Sequence, residues 1–200
     1  FINACTYAER NIDQLIFVHD GPTGPLYDYL MSRTWKPNIL KVDHKDNLKS
    51  LLSTFDVADN LQGNIYFVED DYLHLPESIK LISLALPSLG LVTGYDHEDR
   101  YVRDDDLSYG KELIIFDKPS NRHWRTAEST TCTFAISEAL RPKVEPFTKK
   151  FMLHDRMLFR KLYKKKIRLW TPIPSLTTHV DTALAPGFNW QAFNDAISST

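Results

Sequence analysis

Cysteine is scarce in this chain of 200 residues: Cys5 and Cys132 are the whole supply, and neither sits in a CxxC or other metal-binding spacing. That excludes a disulfide-rich scaffold and a thiolate zinc site, and the pair reads as two reduced thiols in a cytoplasmic protein. No apolar run approaches the roughly 20 residues that a membrane span needs, and no signal peptide is visible. Repeats, low-complexity tracts and domain-splitting linkers are missing too. Neither sign of charge is in excess. Lys and Arg number 24 against 26 Asp and Glu, a net of −2, so no overall field draws the chain to nucleic acid or to a membrane. The first residue is Phe1 rather than Met, from which removal of an upstream segment is expected. What is present is 42% hydrophobic content, enough over this length for one globular domain with a sizeable core.

Hydrophobic periodicity organises the first half. Leu15 to Val18 is a short buried strand running into His19-Asp20-Gly21-Pro22-Thr23-Gly24, a turn by its Gly and Pro content. Leu26 to Arg33 reads as a helix, and Asn38 to Val42 as a second strand. Asp46 to Asp59 has Leu48, Leu51, Leu52 and Phe55 at helical spacing. Asn64 to Val68 is a third strand, Pro76 starts a helix to about Leu86, and Leu89 to Thr93 is a fourth strand. This alternation predicts an α/β fold with a doubly wound, mostly parallel (mixed) sheet flanked by helices, in a single domain. The second half is less regular. Strands are expected at Glu112 to Phe116, at the apolar end of Arg125 to Ile136 and at Arg168 to Trp170, a helix at Asp155 to Lys164, and a wrapping loop from Thr178 to Trp190. Phe1 to Arg10 reads as the end of a helix.

The informative stretch is Val68-Glu69-Asp70-Asp71-Tyr72-Leu73-His74-Leu75-Pro76. Three carboxylates at the exit of a buried strand are costly unless hydrogen bonds or a cation hold them. Ligands of open α/β sheets gather at the carboxyl ends of strands. The run therefore predicts a seat for a divalent cation and an anionic ligand; a helix N-cap formed by Asp70 or Asp71 is the competing explanation. Elsewhere, Asp104-Asp105-Asp106 lies among arginines and reads as a solvated loop, and Lys164-Lys165-Lys166 as a solvated helix end suited to the dipole.

Taken in order, Ile16-Phe17-Val18-His19-Asp20-Gly21, then Asn47 on a helix, then Phe67-Val68-Glu69-Asp70-Asp71 before a Pro resemble a nucleotide-sugar glycosyltransferase of the GT-A fold, family 2-like. The resemblance covers residues 11 to about 190, and its order and spacing are more specific than any one motif. It implies a nucleotide-binding half over about residues 1–94 and an acceptor-binding half with a C-terminal tail over about 95–200. Counted back from Pro76, Glu69 and Asp71 fall on the two acidic positions of the family's DxD motif. Asp71 is then the direct ligand of Mn²⁺ or Mg²⁺, with His179 completing the shell, while Glu69 and Asp70 act through water, ribose or sugar hydroxyls. Asp20 would contact the base through a ring N–H, with turn chemistry as its other explanation. Asn47 or Lys45 would touch the nucleotide. Asp155 would be the general base on the acceptor hydroxyl, although a helix cap explains it almost as well. Trp124 and Arg125, in the run His123 to Thr131, would stack on the acceptor sugar and grip a phosphate. One departure stands at the front: Tyr7 and Leu15 are too close for the usual helix after a first strand Phe1 to Tyr7, so that strand is expected to lie upstream or to be trimmed.

The expected function is transfer of a hexose from a nucleoside diphosphate sugar, a UDP-sugar foremost, to a saccharide or glycoconjugate hydroxyl with inversion. The cation would neutralise the charge that develops on the leaving diphosphate. A non-catalytic relative that binds glycans or serves structurally is the alternative. Another rival, a metal-dependent phosphoryl-transfer enzyme or nuclease, would want more strand-borne acids converging on two ions, and a nuclease a basic groove; neither is visible.

Overall fold

The computed structural model describes residues 12–32, 38–102, 112–130, 132–151, 154–180 and 184–198. The expectations for Phe1 to Arg10, including the first strand, and for Asp104 to Asp106 fall outside these. By contacts the chain divides into two compact units, Ala8–Gln62 and Gly63–Thr200.

The first unit is a βαβα segment. Strands β1 (Ile16–Asp20) and β2 (Asn38–Val42) pair in parallel, from Ile16 opposite Asn38 to Asp20 opposite Val42. Helix α1 (Pro25–Ser32) lies between them in sequence and α2 (Asn47–Asp59) follows. Asp46 caps α2, its carboxylate accepting from the Lys49 amide at 3.1 Å. Among the described residues, Leu30, Phe55 and Ala58 are the buried apolar ones here. All four elements match the expected alternation, because amphipathic helices joined to short apolar strands leave one way to bury both.

The second unit holds a six-stranded mixed sheet in the order β3-β8-β5-β9-β7-β6. Its strands are β3 (Ile65–Phe67), β5 (Leu91–Val92), β6 (Ile114–Asp117), β7 (Arg122–Ala127), β8 (Phe134–Ile136) and β9 (Leu169–Ile173). Only β5 and β9 run parallel; the other four neighbouring pairs are antiparallel. The mostly parallel sheet expected from sequence is thus corrected to a mostly antiparallel one. One of these pairs follows from its short connection: β6 and β7 form a hairpin through Asn121 at φ 52°, where a parallel pair would need a crossover of a dozen residues or more; the other three pair strands distant in sequence.

Helix α3 (Ser78–Leu89) covers this sheet with Ile79, Ile82, Ala85 and Leu86 on one buried face. Ile82, Ala85 and Leu86 join Val92, Trp124, Ala135 and Leu176 in one core cluster. Strands β4 (Tyr72–His74) and β10 (Thr177–His179) form a separate antiparallel ribbon. Tyr72, Leu73 and Leu75 pack there with Tyr95, Ala185 and Trp190. The remaining helices are α4 (Asp99–Val102), α5 (Arg141–Phe151), α6 (Asp155–Lys164) and α7 (Trp190–Ser198). The range expected for α6 is the range found. Helix α5, which carries Pro146 within it, has no sequence expectation.

Candidate functional site

The ribbon β4–β10 makes the site. Its register sets Thr177 against His74, Thr178 against Leu73 and His179 against Tyr72. The Val180 amide then donates to the Asp71 carbonyl at 3.0 Å. Two residues more than a hundred positions apart are thereby side by side: His179 Nε2 lies 2.9 Å from Asp71 Oδ2. The His179 ring also meets the buried Tyr72 edge-on at 5.3 Å. Segment 175–178 can approach this closely because of Gly94, whose carbonyl accepts from the amides of Leu176 (2.8 Å) and Thr177 (3.0 Å). A Cβ at Gly94 would stand 2.7 Å from Thr177 Cγ2.

Glu69 completes the cluster. One ligand atom each from Glu69, Asp71 and His179 lies within 4.8 Å of the others. The Asp71 side chain is 41% exposed and that of His179 16%, so the cluster opens to solvent on one side. Its inner side is short of donors. Asp71 Oδ1 is buried with no hydrogen-bond partner. Burial first, and then the charges of Asp71, Asp70 and Asp155, push the Glu69 carboxyl up to about 7, against a hydrogen bond from Cys132 that lowers it. The Cys132 thiol is pushed up to about 12 by burial and next by Glu69 and Asp155. Two carboxylates and an imidazole, with one buried acceptor left over, fit a divalent cation.

Asp155 faces the same acids. It is the first residue of α6 rather than its cap, since His154 precedes it as the N-cap without a side-chain bond. Its Oδ2 accepts from the Thr130 amide at 2.8 Å and its Oδ1 from the Arg156 amide at 2.5 Å. Thr130 also accepts from the Tyr72 hydroxyl at 2.8 Å through its carbonyl, and the Thr133 hydroxyl accepts from the Glu69 amide at 3.1 Å. The Ser- and Thr-rich segment is therefore the frame that holds Glu69, Tyr72 and Asp155 together. The helix-cap explanation of Asp70 and Asp71 fails, because β4 intervenes and α3 starts only at Ser78 after Glu77. Asp70 stays outside the three-residue cluster and adds its charge to the pressure on Glu69.

Three expected residues have other roles. Trp124 is 0% exposed, in the core, and its Nε1 donates to Ser120 Oγ at 3.0 Å; no face is left for a sugar. Arg125 is 4% exposed and is committed to Asp96, its Nε donating to Oδ1 at 2.8 Å, with the guanidinium 4.5 Å over the Tyr101 ring. Strand β7 buries both side chains, where the sequence suggested an acceptor loop. Asp20 lies in the other unit. Its Oδ1 accepts from the amides of His44 (2.8 Å) and Lys45 (3.2 Å), and its Oδ2 from the Asp46 amide (3.4 Å) and the Ser50 hydroxyl. Those four donors fill the four lone-pair positions of a carboxylate, leaving none for a base N–H. Asn47 is exposed at the first turn of α2, and Lys45 Nζ stands 3.7 Å from Asp43.

Cys132 and Thr133 carry no sequence expectation as site residues, while Thr130 belongs to the hydroxyl-rich run His123 to Thr131 expected near the acceptor. The only signal for them is the run of small hydroxyl residues before an apolar strand. No protein-family model matches this chain, and no curated protein matches it at a significant level.

Proposed function

We propose that this chain is a metal-dependent glycosyltransferase that moves a hexose from a nucleoside diphosphate sugar to a hydroxyl of a saccharide or glycoconjugate. The observation that carries the reading is the convergence of Asp71, His179 and Glu69, with Asp155 beside them, on a solvent-open cluster in which Asp71 keeps one buried oxygen without a donor. Asp71 and His179 would hold the cation and Glu69 would support it. Imidazole in the ligand set favours Mn²⁺ over Mg²⁺, which prefers oxygen ligands and retains its waters. Bound there, a divalent cation supplies charge neutralisation to a departing diphosphate.

Asp155 would take the proton of the acceptor hydroxyl. The Thr130 and Arg156 amides, one on each oxygen, fix the carboxylate's orientation. A carboxylate so placed suits direct displacement with inversion. The Thr130 and Thr133 segment would line the approach, in the acceptor role expected for Trp124 and Arg125.

The test is isothermal titration of UDP with and without Mn²⁺, followed by a screen of UDP-, GDP- and dTDP-sugars for Mn²⁺-dependent hydrolysis. Metal-dependent nucleotide binding with turnover of one donor is the expected result. A second reading, a non-catalytic metal-binding relative, draws on the fully occupied Asp20 carboxylate, which removes one expected nucleoside contact. Mn²⁺ binding with no nucleotide response would favour it and overturn the transferase.

A further inference from the structure

Charge balanced over the whole chain is sharply segregated within it. From Arg141 to Arg168 there are eleven Lys and Arg against two acids, Glu145 and Asp155, leaving thirteen cations against 24 acids elsewhere. Both acids are engaged: Arg141 Nε donates to Glu145 at 2.6 Å, and Asp155 accepts the Thr130 and Arg156 amides. Helices α5 and α6 spend their apolar faces on the fold, through Val144 and Thr148 on one and Leu158, Phe159 and Leu162 on the other. Their lysines point outward. Lys150 Nζ and Lys161 Nζ, one from each helix, lie 5.5 Å and 5.7 Å from the centre of the Phe151 ring. Lys143, Lys164, Lys165 and Lys166 are exposed.

Where α5 begins and α6 ends, a cavity of about 290 Å³ is lined by Ser137, Leu140, Lys166, Arg168 and Trp170 among others, none of them acidic. Arg168 Nε is buried there without an acceptor. Arg156 and Arg160 are answered by acids outside the segment, Asp99 at 3.6 Å and Glu128 at 3.9 to 4.0 Å, and a helix dipole of about half a charge accounts for one or two more cations; the excess that remains is mostly lysine.

We infer that the outward face of α5 and α6, with the turn Lys164 to Arg168, docks this chain onto an anionic phospholipid bilayer, and that a headgroup phosphodiester seats against Arg168. The attraction is electrostatic and reversible, because no apolar helix face is left to insert. Among the described residues no helix is long and apolar enough to cross a membrane. Nucleic acid fits the same charge less well. The outward cations are mostly lysines, hydrated point charges suited to a diffuse sheet of headgroups rather than to bidentate reading. The patch's aromatic ring is stacked on Phe147 at 6.2 Å and flanked by ammonium groups, so it offers no platform for bases.

The experiment is co-sedimentation of the chain with phosphatidylcholine vesicles, with and without phosphatidylglycerol, across a salt series. Binding should require phosphatidylglycerol and weaken steadily as salt rises. The triple variant Lys143→Gln, Lys164→Gln, Lys165→Gln should lose on the order of a hundredfold in vesicle affinity, at about one cation's worth of attraction for each lysine. Lys166 is left alone because its backbone is left-handed at φ 63°. Circular dichroism verifies that the variant folds, and the lipid and salt arms need no variant. Equal sedimentation with both vesicle types, no sedimentation, or unchanged affinity in the folded triple variant would overturn the inference. So would tighter binding to duplex DNA or RNA than to anionic vesicles at matched salt. None of these readouts depends on donor chemistry, so failure here leaves the transferase reading standing, and the reverse holds too.

Discussion

Strands β1 and β3 both run into acid and a turn, yet Asp20 is surrounded by donors whereas Glu69 and Asp71 meet other acids and few donors. At Asp20 three backbone amides and a hydroxyl converge, and the carboxyl is pulled down to about 2, by the Ser50 hydroxyl most, against the cost of losing water, and then by the amides of Lys45, His44 and Asp46. At β3 the acids face one another. Glu69 is pushed up to about 7 and Asp71 keeps a buried oxygen with no partner. A carboxylate whose lone pairs are filled by its own chain is an architectural part. One that is buried, crowded by like charge and short of donors is stabilised by a cation. Sequence similarity at the two exits hides this difference, because the donors come from elsewhere in the chain.

The largest effect should come from Asp71→Asn. It removes the charge and one ligand while leaving a similar shape against His179. Mn²⁺ affinity, measured by calorimetry, is expected to drop by more than the roughly 10–100-fold typical of losing an outer-shell partner. Unchanged affinity would erase the contrast with Asp20. Gly94→Ala should act on the same site at a distance. Its methyl would overlap Thr177, which is fully buried, and pushing that residue moves His179 two positions on. We expect about tenfold weaker Mn²⁺ binding and about 1–3 kcal/mol less stability from overpacking. If stability falls while Mn²⁺ affinity holds, His179 is not held by that approach.

The Glu69 carboxyl sharpens the comparison through pH. Its pKa in the folded chain lies above the ordinary 4.5, near 7. Stability from the buried neutral form is therefore fully present below 4.5 and is lost as pH rises through about 7, the opposite of the Asp20 case. A cation competes with that proton. Mn²⁺ affinity should climb with pH by at most about tenfold per unit up to about 7 and then level off, with proton release visible in buffers of different ionisation enthalpy. Glu69→Gln should flatten this dependence. A profile as steep in that variant as in the parent chain would assign the proton elsewhere.

How legible this was in sequence depended on whether the signal was local. The βαβα segment and α6 follow from periodicity over ten residues or so. Asp71 and His179 could be named from order and spacing, but their meeting depends on β4 and β10, three residues each and without alternation. Trp124 and Arg125 went astray because a polar, hydroxyl-rich run around one Trp reads as a loop, whereas β7 is an inner strand of a mixed sheet. The basic helix pair escaped because charge was summed over the chain, and the acids that balance the sum lie outside it. Four donors on Asp20, drawn from 24 to 30 residues downstream, leave no local mark.

Asp20→Asn carries the smallest expected effect on the metal, namely none, and for that reason tests the comparison most directly. Asn keeps an acceptor oxygen but presents an NH₂ group to amides that also donate, so part of the anchor on residues 44–46 is lost. The melting temperature should fall while Mn²⁺ affinity is unchanged. The parent chain should supply the matching pH evidence. A folded-state pKa near 2, below the usual 3.8, gives a stabilisation present above about pH 4 and lost as pH falls through about 2. In Asp20→Asn that acid-side loss should shrink, while the opposite loss from pH 4.5 to 7 due to Glu69 should persist. A variant that kept its acid-side profile, or that lost Mn²⁺ binding, would mean that the two carboxylate groups are not chemically independent, and the contrast between a self-satisfied and a cation-seeking exit would have to be abandoned.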